Sequence, residues 1–174
     1  MSLFSKFKPY PWKSVLLRYI IAAALVFADV GVKLLVEARQ TAIDGITLIP
    51  RVVGLSYVRN TGAAFGMLDD NTLVVSVISC IIILAGILLI AVYTPFNKGE
   101  SFILAVIIAG GIGNQIDRIA RGYVTDYLKF LFFKFPVFNL ADIFVTCGCI
   151  TLAVFVIISM SRSRKQPETK PDER

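Results

Sequence analysis

The chain has 174 residues, of which 56% are hydrophobic and only 17% charged, with a formal net charge of +6. Soluble domains carry about a quarter charged residues, so this balance, with a mean hydropathy of +0.75, excludes an ordinary water-soluble domain and a disordered chain alike. Histidine is absent from the sequence, which removes histidine triads, histidine metal sites and histidine pH switches.

Four apolar stretches, each near the ~20 residues that cross a bilayer core, predict an all-α polytopic membrane protein. The first, Ser14–Val36, is preceded or opened by Lys6, Lys8, Lys13 and Arg18. A basic start before an apolar run resembles a cleaved signal peptide, but three further spans favour a retained first helix. Within it, Asp29 and Lys33 stand four residues apart, share a helix face and can pair. An ionisable group inside a span costs a few kcal/mol and marks function by default. A self-neutralising pair near the outer helix end accounts for them equally well.

The long loop Glu37–Asn71 follows. Its segment Gly45–Val58 is rich in Ile, Val, Leu and Tyr, with breaks at Pro50 and Gly54, and predicts a small extracytoplasmic β element on the membrane surface. Asn60 then precedes Thr61-Gly62-Ala63-Ala64-Phe65-Gly66. Small residues there let backbone approach a ligand or another helix; the plain alternative is a turn into the next span. The second span, Leu73–Tyr93, stops before Pro95. The third, Ser101–Ile119, ends in a run with Gly110, Gly111 and Gly113, where only close packing or function offsets the lost helix propensity. Asn114, Asp117 and Arg118 fall on one face of it, and Arg118 is the expected partner of Asp117.

The loop Ala120–Val137 is aromatic and basic and suits an interfacial belt. The fourth span covers Phe138–Met160. Residues 1–160 form one expected membrane domain, and the tail Ser161–Arg174, with Pro167 and Pro171, is expected to be a basic, solvated, disordered cytoplasmic tail. Cys80, Cys147 and Cys149 lie within apolar runs as small hydrophobes, and no metal site is expected. An even number of spans puts both termini on one side. Ten Lys/Arg on the termini and short loop, against seven in the long loops, place the termini in the cytoplasm. The positive charge is therefore a topology signal rather than a nucleic-acid footprint.

Two further acidic residues stand out, one in the loop before the fourth span and one near the start of that span. Asp126 lies in Gly122-Tyr123-Val124-Thr125-Asp126-Tyr127, and Asp142 opens the fourth span in Phe138-Asn139-Leu140-Ala141-Asp142. Asn139 is three residues before Asp142 and can orient its carboxylate. No Lys or Arg stands within four residues of Asp142, so desolvation should raise its pKa. If Asp126 sits beside it, the two can share one proton and supply one acid and one base for hydrolysis by water. Otherwise Asp126 caps a turn and Asp142 caps a helix. On the residues alone other classes stay open. A proton- or ion-coupled transporter could use Asp29, Lys33, Asp117 and Asp142 as a relay, although no internal repeat supports it. A non-catalytic scaffold, or a serine–lysine peptidase using Lys33 with Ser76 or Ser79, are further alternatives.

Taken together, five blocks resemble the lipoprotein signal peptidase (signal peptidase II) family of bacterial membrane aspartyl endopeptidases. They are Asp29 with Lys33, Asn60–Gly66, Gly110–Arg118, Gly122–Asp126 and Phe138–Asp142. The resemblance spans residues 14–160. It implies that Asp126 and Asp142 are the catalytic pair, with Asn60, Gly62, Asn114, Asp117, Arg118, Asn139, Asp29 and Lys33 as substrate-binding or supporting residues. It implies cleavage of a diacylglyceryl prolipoprotein on the N-terminal side of its lipidated cysteine, at the outer face of the bacterial inner membrane. No cofactor is implied; the expected partners are that substrate, membrane lipids and globomycin-type inhibitors, with the chain a monomer. The sequence departs from the family twice. The first-helix block usually reads Asp-Gln-x-(Ser/Thr)-Lys and here reads Asp29-Val30-Gly31-Val32-Lys33, and Tyr127 stands where Phe usually follows the aspartate.

Overall fold

The computed structural model describes residues 12–62, 71–92 and 98–164. In chain order the elements are α1 (Trp12–Ala38), a short α2 (Gln40–Ile43), β1 (Thr47–Ile49), β2 (Val53–Asn60), α3 (Thr72–Val92), α4 (Lys98–Arg121), β3 (Val124–Phe130) and α5 (Leu140–Arg164). The four long helices match the four expected spans and are long and apolar enough to cross a membrane. Their outward faces are as apolar as their inward ones: Phe27 on α1 and Leu73 on α3 are each 77% exposed. Such residues are stable only where the surrounding solvent is lipid.

Lipid tails give apolar helices no hydrophobic reason to associate, so close contact must come from shape and polar bonds. Helix α4 is the central member and packs against α1, α3 and α5. Ala22, Ile90, Ala105, Ile108 and Ala109 form the buried cluster between α1, α3 and α4. The α4 glycines permit the approach of the other helices. A Cβ on Gly110 would strike the Ala141 carbonyl and the Val145 side chain of α5, and one on Gly113 would strike the Asp29 carboxylate of α1.

The sheet is antiparallel in the order β1-β2-β3. The β1–β2 turn closes with Val52 N–H donating to the Ile49 carbonyl at 3.0 Å. Pro50 sets its first corner, and Arg51 takes the left-handed second corner at φ 63°. The third strand departs from the expected irregular belt. Gly122, at φ 79°, ends α4 by donating its N–H to the Arg118 carbonyl at 3.0 Å. The chain then runs along β2 with Val124 opposite Asn60, Thr125 opposite Arg59 and Asp126 opposite Val58. The β-branched and aromatic residues of Val124–Phe130 suit a pleated strand, but its partner lies more than 60 residues away and leaves no local signal.

The aromatic character expected of that loop survives at its end, where Phe130 packs on Phe133 and Phe138 at centroid distances of 5.2 and 4.9 Å. A bridge between Leu128 and Phe138 hands the chain on to α5. Helix α5 continues through Ser161, whose hydroxyl donates to the Ile157 carbonyl at 2.9 Å, to Arg164. The expected tail thus begins as helix. Its remainder, the block Ala63–Gly66, Pro95, Lys6 and Lys8 lie outside the described residues. Because α1 and α4 end at the sheet while α3 and α5 begin there, the sheet sits at the end of the bundle opposite the start of α1 and the end of α5.

Candidate active site

Strand β3 delivers Asp126 and the first turn of α5 delivers Asp142. Asn139 is the residue that joins them. Its backbone N–H donates to Asp142 Oδ2 at 3.0 Å, and Asp142 N–H donates back to Asn139 Oδ1 at 2.9 Å, a reciprocal capping box at the start of α5. The carbonyl end of the Asn139 amide is thereby committed to α5, so its Nδ2 points away and donates to Asp126 Oδ1 at 2.6 Å. Asp142 thus caps its helix and still faces the acidic partner; the two sequence readings of it are compatible. Asp126 Oδ2 accepts a second amide bond, from Asn60 Nδ2 at 2.9 Å. Asn60 is held in that orientation because its Oδ1 accepts the Gly62 N–H at 3.0 Å. Asp142 Oδ1 accepts Asn114 Nδ2 at 2.8 Å.

Asp126 is only 1% exposed. Burial first, and the neighbouring Asp142 charge second, push its pKa up from 3.8 to about 7; the Asn60 and Asn139 amide bonds pull the other way without cancelling this. Asp142 keeps partial access to the surroundings. The pair is therefore one sequestered carboxyl that retains a proton near neutrality and one accessible carboxyl, held by neutral amides.

A second group lies beside it, where α1, α4 and α5 meet. Asp29, Lys33 and Asp117 are each fully buried. The Lys33 ammonium donates to Asn114 Oδ1 at 2.8 Å and forms ion pairs with Asp29 Oδ2 at 2.8 Å and Asp117 Oδ2 at 3.3 Å. Asp29 Oδ1 accepts the Ala141 N–H at 2.9 Å. An ammonium can only donate, so it turns the Asn114 carbonyl toward itself and the Asn114 NH₂ toward Asp142. The expected Asp29–Lys33 pair is present, but as part of a three-helix junction rather than an isolated helix-end pair.

The expected Asp117–Arg118 pair is not formed. Adjacent helical residues point about 100° apart, and Asp117 instead meets Arg121 one turn on, at 3.2 Å. Arg118 donates from its NH2 group to the Gly62 carbonyl at 3.3 Å and lies where the charges of Asp142 and Asp126 act on it. All ten residues singled out from the sequence thus gather at one end of the bundle. Of the two valines that replace polar residues in the first-helix block, Val32 has a packing use: it sits against Val36, Ile43 and Tyr127, the cluster behind β3. Glu37, Tyr57, Arg121 and Thr125 were not singled out, yet they form a network next to Asp126. The spacing of Asp29, Lys33 and Glu37 at four-residue steps was the available signal.

A family model described as signal peptidase (SPase) II matches residues 21–158. A lipoprotein signal peptidase of Caldanaerobacter subterraneus subsp. tengcongensis is 41% identical over 140 residues, covering 79% of this chain and 94% of that protein. One from Microcystis aeruginosa is 36% identical over 146 residues, covering 83% and 94%. A solved bacterial membrane enzyme, determined by the in meso method at 2.3 Å, superposes with a TM-score of 0.78 at 28% identity, covering 94% of this chain and 98% of that one. With its four membrane helices, its three-stranded sheet and these relatives, the chain belongs to the signal peptidase II family, a family of bacterial membrane aspartic peptidases.

Proposed function

We propose that this protein removes the signal peptide from diacylglyceryl-modified prolipoproteins, cutting on the N-terminal side of the lipidated cysteine, with Asp126 and Asp142 as the catalytic pair. The observation that carries this reading is the bridge through Asn139, which holds two carboxyl groups together with no cation directly on either. Family membership supports lipoprotein signal-peptide processing, and the geometry and charge around Asn139 support the residue roles.

In this reading Asp126 starts protonated and Asp142 ionised. Asp142 takes a proton from a water as the water oxygen attacks the scissile carbonyl carbon. Asp126 gives its proton to the carbonyl oxygen, leaving a neutral gem-diol. Breakdown reverses the traffic: Asp142 returns its proton to the cysteine nitrogen, the C–N bond breaks, and one diol hydroxyl gives its proton back to Asp126. The products are the signal-peptide acid and the lipidated N-terminal amine. Apolar helices exclude bulk water from the pair. Arg118 and Gly62 border the pair and are placed to hold the substrate backbone. The lipid anchor stays in the bilayer beside the helices. The sheet end faces the outer side of the bacterial inner membrane, both termini face the cytoplasm, the chain works as a monomer, and globomycin-type inhibitors occupy the same site. The transporter alternative gains no support, since Asp29, Lys33 and Asp117 are locked to one another.

The test is cleavage of a diacylglyceryl prolipopeptide by purified protein in lipid. Asp126→Asn and Asp142→Asn are each expected to abolish signal-peptide release while the protein still inserts. Near wild-type cleavage by either variant overturns the assignment.

A further inference from the structure

We propose that Glu37 and Thr125 are positioning residues for this reaction: together with Arg121 they grip strand β3 from behind and so aim Asp126 at Asp142. The proposal rests on the reading of Asp126 as a member of the catalytic pair. Thr125 is fully buried and is held on three sides. Its hydroxyl donates to Glu37 Oε1 at 2.7 Å and accepts from Arg121 NH1 at 3.0 Å. Its backbone N–H donates to Asp117 Oδ2 at 3.1 Å. Glu37 Oε1 also accepts from Arg121 NH1 at 3.1 Å and from the Tyr57 hydroxyl at 3.0 Å. One carboxylate oxygen therefore ties the end of α1 to β2, β3 and α4.

Successive strand residues point to opposite faces. Thr125 thus turns toward Glu37 while Asp126 turns toward Asn60 and Asn139. A grip on Thr125 fixes the roll of the strand about its own axis, which is the motion that would swing the Asp126 carboxylate. The sheet supplies little of this restraint, because the β2–β3 register is already irregular between Leu55 and Val58, just before the Val58–Asp126 pair. Glu37 and Arg121 are about one-fifth exposed, so as an ion pair alone they would add little stability. Their value lies in where they hold Thr125. A misplacement of about 1 Å at a reacting group costs roughly a hundredfold in rate.

The experiment measures kcat, KM and the pH profile of prolipopeptide cleavage by the full-length protein in lipid. Thr125→Val keeps the shape and removes the hydroxyl; Thr125→Ser restores it. Thr125→Val is expected to lower kcat by about tenfold to a hundredfold, leave KM within about twofold, and displace the alkaline limb of the profile. Thr125→Ser is expected to recover most of kcat, and Glu37→Gln to fall between the two. The proposal is overturned if Asp126→Asn is inactive while Thr125→Val retains wild-type kcat and pH profile, or if Thr125→Ser is as impaired as Thr125→Val. Should Thr125→Val fail to insert, Glu37→Gln decides in its place, and unchanged kcat and profile there count against the latch. Active Asp126→Asn would instead sink the reading of the catalytic pair, a distinct result.

Discussion

Two clusters of buried carboxylates sit side by side at one end of this bundle, and they are built on opposite terms. Around Lys33, the acids Asp29 and Asp117 are neutralised by a cation and by backbone N–H groups. Around Asn139, Asp126 and Asp142 lie together, and among the described residues their donors are side-chain and backbone amides. A buried charge with a counter-ion is inert and rigid; a buried carboxyl beside a second one keeps a mobile proton. The same residue type therefore serves as mortar in one cluster and, in the proposed reaction, as reagent in the other. The Asn114 amide couples them, with its oxygen on Lys33 and its nitrogen on Asp142.

The sharpest way to break this contrast is to remove the cation. Lys33→Met leaves Asp29 and Asp117 without their shared ammonium and leaves the Asn114 oxygen with only the Asn139 amide, at 3.0 Å, as its donor. Removing one partner of a buried ion pair costs about 3–5 kcal/mol. The expected outcome is a large fall in thermal stability in lipid, with loss of cleavage. If Lys33→Met keeps its stability and loses only activity, Lys33 belongs with the reagents and the contrast is wrong.

The spans were legible in the sequence because a bilayer demands long apolar runs whatever the tertiary fold. The Asp29–Lys33 pair was legible because helical spacing alone brings it together. Strand β3 was not, since what makes Val124–Phe130 a strand is the distant edge of β2. Nor was the true partner of Lys33's remaining donors, for Asn114 lies 81 residues away. Asp126 and Asp142 stood out by the lack of nearby cations, but the reciprocal Asn139 bridge that holds them is a three-dimensional fact. The Arg118 expectation failed on a local rule: the residue one turn away, Arg121, outcompetes the neighbour in sequence.

A smaller effect comes from neutralising the reagent. Folding raises the Asp126 pKa from 3.8 to about 7, so the folded state holds this proton more tightly than the unfolded chain. That contribution is fully present below about pH 4 and is lost as pH rises through about 7. At roughly 1.4 kcal/mol per unit, the loss is at most about 4 kcal/mol, and sharing of the proton with Asp142 reduces it. Asp126→Asn is therefore expected to abolish cleavage and to flatten the dependence of stability on pH between about 4 and 8. Its NH₂ meets the Asn60 or Asn139 NH₂ where an oxygen accepted, so the slope with pH and not the absolute stability is the readout. The wild type, needing Asp126 protonated in the proposed reaction, is expected to lose activity as pH climbs past about 7. An Asp126→Asn protein that keeps the wild-type dependence of stability on pH would place this carboxylate with the mortar.

The finest test probes the joint between the clusters with a single methyl group. Gly113 of α4 lies against the Asp29 carboxylate, and a Cβ there has no room. Asp29 cannot retreat freely, because its oxygens hold Lys33 and the Ala141 N–H at the start of α5. Ala141 stands between Asn139 and Asp142, so strain at Gly113 reaches the turn that carries Asp142 through one hydrogen bond. Gly113→Ala is expected to cost about 1–3 kcal/mol, as overpacking does, and to lower kcat out of proportion to that loss. Gly31 on α1 is the control: nothing lies within 4 Å of its added Cβ, so Gly31→Ala is expected to be neutral or to stabilise by up to about 1 kcal/mol. Equal behaviour of the two variants in a thermal melt and a cleavage assay would mean that the junction does not steer the turn carrying Asp142, and that the clusters are neighbours without being coupled.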